Sequence, residues 1–317
     1  MANIKKKIIL VIKIIVTFFL LYIASFNINI LDIKKSLTDL NFLFISFAVF
    51  FSAIGYIFGG LRWWVINNSL KLHSSIILNI KLFFISGFFS QFVVGGGYGG
   101  DVYRAWFLSK LSHRRLDSIS SVLIDRISGV LAALITISIS LPIYFHLDTT
   151  FGSNLIFIAL TCVGILLVIY LSLKFNELIL NSKIGKKYIN ESLSNTLDNF
   201  VDIFLKYKES LPHLFLSFIG LMCYMLSLYF IYLSIGVFVE IIYLFLLWPI
   251  IFIIKSFPLA IGGWGARELA MVYFLGIIGI ANQDALLASV LVGLVMIASS
   301  SIGFLIWILA PPELDKT

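Results

Sequence analysis

The chain has 317 residues, 60% of them hydrophobic and only 12% charged, with a mean hydropathy of +1.05. That balance excludes an ordinary soluble domain and makes the chain an integral membrane protein. The formal charge of +7 is then read as topology and contact with anionic lipid, not as nucleic-acid binding.

In chain order, Lys5, Lys6 and Lys7 precede an apolar run to about Phe26, longer than a cleavable signal core and read as a retained helix. Six full spans are expected, at 8–26, 42–64, 119–142, 153–173, 212–236 and 285–309. Four shorter apolar stretches, 76–94 with 101–112 and 241–255 with 266–280, form two pairs, each flanking a glycine-rich knot. The first knot is Gly95-Gly96-Gly97-Tyr98-Gly99-Gly100-Asp101, with Arg104 one turn on. The second is Gly262-Gly263-Trp264-Gly265-Ala266-Arg267-Glu268. Both share the register Gly-Gly-aromatic-Gly, and Trp264 follows Tyr98 by 166 positions. Each glycine costs a helix ~1 kcal/mol relative to alanine, so Gly96, Gly97, Gly99, Gly100, Gly262, Gly263 and Gly265 are expected to break helical structure. Inside a membrane such backbone persists only where protein or a wet cavity surrounds it.

Lysine and arginine set the orientation. The N-terminal tail, residues 104–115 and the segment 174–211 are basic, whereas the loops near 143–152, 237–240 and 281–284 carry no lysine or arginine. The basic regions and both termini belong in the cytoplasm, in a cytoplasmic (inner or plasma) membrane. Lys34 and Lys35 fit poorly, in a loop assigned outside. This arithmetic makes 76–112 a hairpin from the cytoplasmic side and 241–280 a hairpin from the other. The expected fold is an all-α polytopic membrane protein. It is an inverted repeat with about six full spans plus two re-entrant or broken-helix hairpins, in one transmembrane domain over 1–317. The first repeat is 42–142 and the inverted second repeat 212–309. Between them, 174–211 is an amphipathic connector expected to lie along the cytoplasmic surface.

A charge at the bilayer centre costs roughly 2.5–3.5 kcal/mol, so intramembrane charges need a reason. The candidates are Asp101, Arg104, Asp125, Arg126, Arg267, Glu268 and Arg62, with Tyr98 and Trp264 as amphipathic walls and Lys255 just before the second knot. A helix opening at each knot presents unpaired N–H groups to an anion, and Arg104 and Arg267 add bidentate donors. Bland readings stand beside these. Asp101 would cap the helix it opens. Arg267 with Asp101, or Glu268 with Arg126, would be ion pairs closing the two halves. Arg126 would snorkel to headgroups, and Arg62 beside Trp63 and Trp64 would be an interfacial anchor. Four scattered histidines and two cysteines inside apolar runs show no ligand spacing, so neither metal nor cofactor is expected. There is no P-loop motif and no defensible Ser/His/Asp arrangement.

The order Arg62-Trp63, then Gly99-Gly100-Asp101 with Arg104, then Asp125-Arg126 with Gly129, then Pro258 and Gly262 to Glu268, resembles the lysylphosphatidylglycerol synthase transmembrane-region family of flippase-like proteins. In two-domain relatives this region is the lipid-translocating part, followed by a cytosolic aminoacyl-transferase domain. Here the sequence stops at Thr317, so the resemblance implies no lysyl transfer by this chain. It also favours Asp101 and Arg267 as translocation residues. The expectation is therefore a translocase for an anionic or zwitterionic membrane lipid, with Asp101 and Arg267 as its switch. Two other readings are a membrane-embedded enzyme of phospholipid or polyprenyl-lipid synthesis, and an assembly partner of a lipid-synthesis enzyme.

Overall fold

A computed structural model describes residues 15–25, 38–92, 98–144, 150–180, 191–256 and 264–313. Among these, regular structure is helical throughout. The helices are α1 (Ile15–Ala24), α2 (Phe42–Ser69), α3 (Ile76–Phe92), α4 (Gly99–Ser112), α5 (Arg115–Ile139) and α6 (Thr150–Leu180). After them come α7 (Glu191–Leu205), α8 (Tyr207–Ser234), α9 (Ile241–Ser256), α10 (Ala266–Ile277) and α11 (Asn282–Leu309), and a single turn, Leu141–Tyr144, follows α5. Among the described residues, α2, α5, α8, α11 and the Leu155–Lys174 part of α6 are long and apolar enough to cross a membrane. The expected first span, 8–26, is described only from residue 15 to 25.

The four short segments are separate helices of 17, 14, 16 and 12 residues. At ~1.5 Å per residue none reaches the ~30 Å of a hydrocarbon core. Helix α5 starts four residues earlier than its apolar stretch. Its first turn is polar, with Asp117 near the helix N-terminus and held by Arg114 at 2.8 Å. Of the glycine breaks, Gly96, Gly97, Gly262 and Gly263 lie outside the described residues. Gly99 and Gly100 do not break helix: they are its first two residues. Gly265 does interrupt it, as the N-cap of α10 at φ +90°.

Helix α2 packs along α8, and α3 is wedged between α2 and α11. The contacts recur in both halves: α3 on α11 and α9 on α5, α4 on α5 and α10 on α11, α5 on α8 and α11 on α2. Small residues allow these approaches. A Cβ on Gly100 would lie 1.9 Å from the Ser86 carbonyl oxygen, and one on Gly303 would lie 2.1 Å from that of Phe84. Hydroxyls and an indole tie the same crossings: Ser52 to Ser299, Trp63 Nε1 to Ser121, and Ser227 to the Ala48 carbonyl, each at 2.8 Å.

The connector differs from its expectation. The apolar face of α7 packs against α5, α6 and α8, burying Val201 and Ile203, while Asp202 and Lys206 pair outside. Phe200 and Phe204 on the same helix pack together, with ring centroids 5.3 Å apart.

Candidate substrate cavity and its ion network

Because α5 begins at Arg115, Asp125 sits ten residues into the helix, about 15 Å along it, and is buried. Two guanidinium groups offset the cost of that carboxylate. Arg62 Nε donates to Asp125 Oδ1 at 2.7 Å, and Arg104 Nη1 to Oδ2 at 3.0 Å. Arg104, also buried, reaches Asp101 Oδ1 through Nη2 at 2.7 Å, and the other Asp101 oxygen accepts from Arg126 Nε. The result is an alternating chain, Arg62–Asp125–Arg104–Asp101–Arg126, that fastens α2, α5 and α4 together. Arg62 extends it to α8 through Ser217 Oγ at 3.3 Å. Aromatic faces supply the rest of the solvation. Arg104 lies 4.9 Å from the Trp63 ring and 4.7 Å from that of Phe83, and Arg126 lies 4.4 Å over Tyr98. Arg104 Nε is buried without a hydrogen-bond acceptor among the described residues.

These five charged side chains line a cavity of about 720 Å³, within the range of small-ligand sites. Gly55, Gly59 and Gly129 keep its walls low on the α2 and α5 sides, and Phe200 and Phe204 of α7 bound it elsewhere. A sixth charge enters from α9. The Lys255 ammonium lies 5.3 Å from the rings of Trp248 and Phe252 and 5.8 Å from Tyr224, with no ion pair among the described residues. The cavity is thus lined by four basic side chains, Arg62, Arg104, Arg126 and Lys255, against two carboxylates.

The second knot builds something else. Arg267 Nη2 donates to Glu268 Oε1 at 2.5 Å and Arg267 Nε to Ser289 Oγ at 3.0 Å, while Ser289 Oγ donates to Glu268 Oε1 at 3.2 Å. The other Glu268 oxygen accepts the Gly265 backbone N–H at 2.5 Å, and Arg267 stacks 4.8 Å from Trp264. Both charged residues are buried. Gly293 on α11 makes room for them, since a Cβ there would lie 2.6 Å from Trp264 Cη2.

Several sequence expectations change accordingly. Asp101 does not cap α4, whose N-cap Tyr98 makes no side-chain cap bond; both Asp101 oxygens are taken by arginines. Neither Asp101 with Arg267 nor Glu268 with Arg126 is a pair, because each carboxylate is satisfied within its own half. Trp264, Arg267 and Glu268 do not line the cavity. Arg126 is turned to Asp101, and Arg62 is part of the network rather than a belt anchor, with Trp63 beside it buried. Lys255 joins the first network's cavity rather than the second knot it precedes. Its signal was a lysine in a short apolar helix with no acidic residue nearby in sequence.

The family model described as the lysylphosphatidylglycerol synthase TM region matches residues 10–303. The chain belongs to this family. A UPF0104 membrane protein of Methanocaldococcus jannaschii is 30% identical over 199 residues, 62% of this chain and 83% of that protein. In this lysylphosphatidylglycerol synthase TM-region protein, Arg62, Asp101, Arg104, Asp125 and Arg126 come from three separate places in the sequence into one network. The Gly265–Glu268 motif forms a second, separate one.

Proposed function

We propose that this integral membrane protein is a lipid translocase that holds a phosphate-bearing headgroup in the 720 Å³ cavity while the acyl chains stay in the bilayer. The observation that carries this reading is the excess of cations over carboxylates in a cavity built from apolar membrane helices. Three arginines facing two carboxylates leave one positive charge for a ligand to match, to which a protonated Lys255 adds a second, and this favours an anionic headgroup over a zwitterionic one. Lys255 is the natural first contact, since it gives up no ion pair to bind phosphate. Arg62 and Arg126 come next, each exchanging one carboxylate partner for the ligand. Asp125 and Asp101 hold the arginines in place while the cavity is empty, so the site is preorganised and its charge partly neutralised. The proposal moves the switch from an Asp101–Arg267 pair to the Asp101–Arg126 contact.

The matching helix contacts in the two halves support reading 42–142 and 212–309 as inverted repeats. On that reading the short helices are re-entrant hairpins, and both termini lie in the cytoplasm. Rearrangement of the helices that border the cavity outside the α2–α3–α11 contact provides alternating access without a nucleotide site.

Reconstitution into liposomes tests the function. With a headgroup-labelled anionic phospholipid and a quencher outside, proteoliposomes should expose inner-leaflet label that empty liposomes protect. Lys255→Met should slow this for the anionic lipid more than for a zwitterionic one. No exposure above empty liposomes would sink the translocase reading. A chemically altered lipid recovered afterwards would favour the enzyme alternative, and a lipid synthase co-purifying with an inactive protein would favour the assembly partner.

A further inference from the structure

A second hollow, a groove of about 610 Å³, runs between α4 and α5. Its floor and rims follow helical spacing on both sides. On α4 the lining positions Tyr98, Val102, Trp106 and Lys110 recur every four residues; on α5 the corresponding stripe is Arg126, Leu123, Ile119 and Arg115. The two stripes run antiparallel. One end of the groove therefore carries Lys110 and Arg115, both exposed and without an ion pair among the described residues. The middle is apolar and outward-facing, with Val102 67%, Trp106 50%, Ile119 50% and Leu123 53% exposed. The far end is Tyr98, Asp101 and Arg126, and these same three residues also line the 720 Å³ cavity. From position 98 to 110 the groove covers about 18 Å of helix, close to the ~15 Å depth of one leaflet.

We infer that the α4–α5 groove is the lateral doorway for one membrane phospholipid, and that Tyr98, Asp101 and Arg126 are its door. The phosphodiester docks first at Lys110 and Arg115, at the end that sequence charge assigns to the cytoplasmic face. An acyl chain then lies along Val102, Trp106, Ile119 and Leu123, in place of the bilayer lipid those side chains would otherwise meet. Charge complementarity at one end and apolar exposure in the middle select an amphiphile rather than a soluble anion or a protein helix. The closed door is the Arg126–Asp101 ion pair with Arg126 stacked on Tyr98. A phosphate reaching Arg126 offers it a second anion, and Asp101 keeps Arg104 as its remaining partner. The lipid thus loosens the contact that blocks its own path to the cavity. This inference rests on the translocase reading for what lies beyond the door, but not for lipid binding in the groove itself.

The test uses full-length protein in nanodiscs containing an anionic phospholipid with a photoreactive diazirine on one acyl chain. Adducts should concentrate on the peptides spanning 102–123, and Lys110→Gln with Arg115→Gln should reduce them several-fold. Adducts spread evenly over the outward helices, or unchanged in that double variant, overturn the doorway. Ala105→Trp plugs a position that lines the groove and not the cavity. It should slow liposome transport at least tenfold with an unchanged melting temperature. If that variant does not fold, Ser109→Trp serves the same purpose. Normal transport through a plugged groove sinks the doorway and leaves the translocase standing. Groove adducts on a wild-type protein that moves no lipid sink the translocase and leave the lipid site standing.

Discussion

The two glycine knots look alike in sequence and do opposite things with their charge. Around the first, Asp101 belongs to a five-membered chain spread over three helices, open to a cavity and short of carboxylates. Around the second, Arg267 and Glu268 neutralise each other, with Ser289 and the Gly265 N–H completing the set, outside the lining of the 720 Å³ cavity. A residue pattern can therefore be duplicated while its chemistry divides. On the proposed reading the first knot keeps charge available to a ligand, whereas the second uses charge to fix the start of α10, as a buried pair with every carboxylate oxygen satisfied can do.

That contrast can be broken experimentally, beginning with its largest effect. Glu268→Ala strands the buried Arg267 guanidinium and should destabilise the protein by about 3–5 kcal/mol, seen as a much lower midpoint in detergent melts followed by size-exclusion chromatography. Adding Arg267→Met should restore most of that loss. If Arg267→Met alone left the midpoint unchanged but ended transport, the second knot would belong to the site and the contrast would fail. Asp125→Asn should come next. The amide keeps one acceptor oxygen and loses the other charge-assisted bond, which costs roughly 1.5–3 kcal/mol and should also abolish transport, because Arg62 and Arg104 lose their common anchor. Lys255→Met sharpens the comparison from the other side. It should weaken anionic-lipid binding about tenfold, ~1.4 kcal/mol, with stability changed by less than ~0.5 kcal/mol. A drop in midpoint as large as that of Glu268→Ala would show Lys255 to be structural. Smallest is Gly129→Ala, whose added Cβ would lie 3.4 Å from Arg62 Nη1 on the cavity wall. Helix propensity should raise stability by up to ~1 kcal/mol while transport falls modestly; a loss of stability would mean that the Arg62 side cannot give way.

Much of the fold was legible because membrane helices announce themselves by apolar length. The pairs α3 with α4 and α9 with α10 were foreseen to within a few residues at most ends. Asp125 lies six residues into the apolar stretch that starts at 119 but ten residues into its helix, because the helix opens in a polar turn, Arg115 to Ser118, that an apolar window discards. Pairing was the harder problem. Arg62 and Asp125 are 63 positions apart, and only the crossing of α2 with α5 brings them together. Sequence showed that Asp101 and Arg267 had opposite charge and equivalent positions, but not that each already had a nearer partner. Lys255 stood among the candidates only as a charge before the second knot; its place in the cavity, among Tyr224, Trp248 and Phe252, comes from the fold.

The glycine contacts of α3 carry a mechanical consequence. Where Gly60 meets Ile80 and Gly303 meets Phe84, backbone lies against backbone, with a hypothetical Cβ 2.7 Å from the Ile80 Cα and 2.1 Å from the Phe84 oxygen. Side-chain contacts slide by changing rotamers, but main chains in direct contact have no such slack. Helices α2, α3 and α11 must then travel as one stiff spine. Any motion that widens the molecule is pushed to helices outside that spine, α6 and α9 among them.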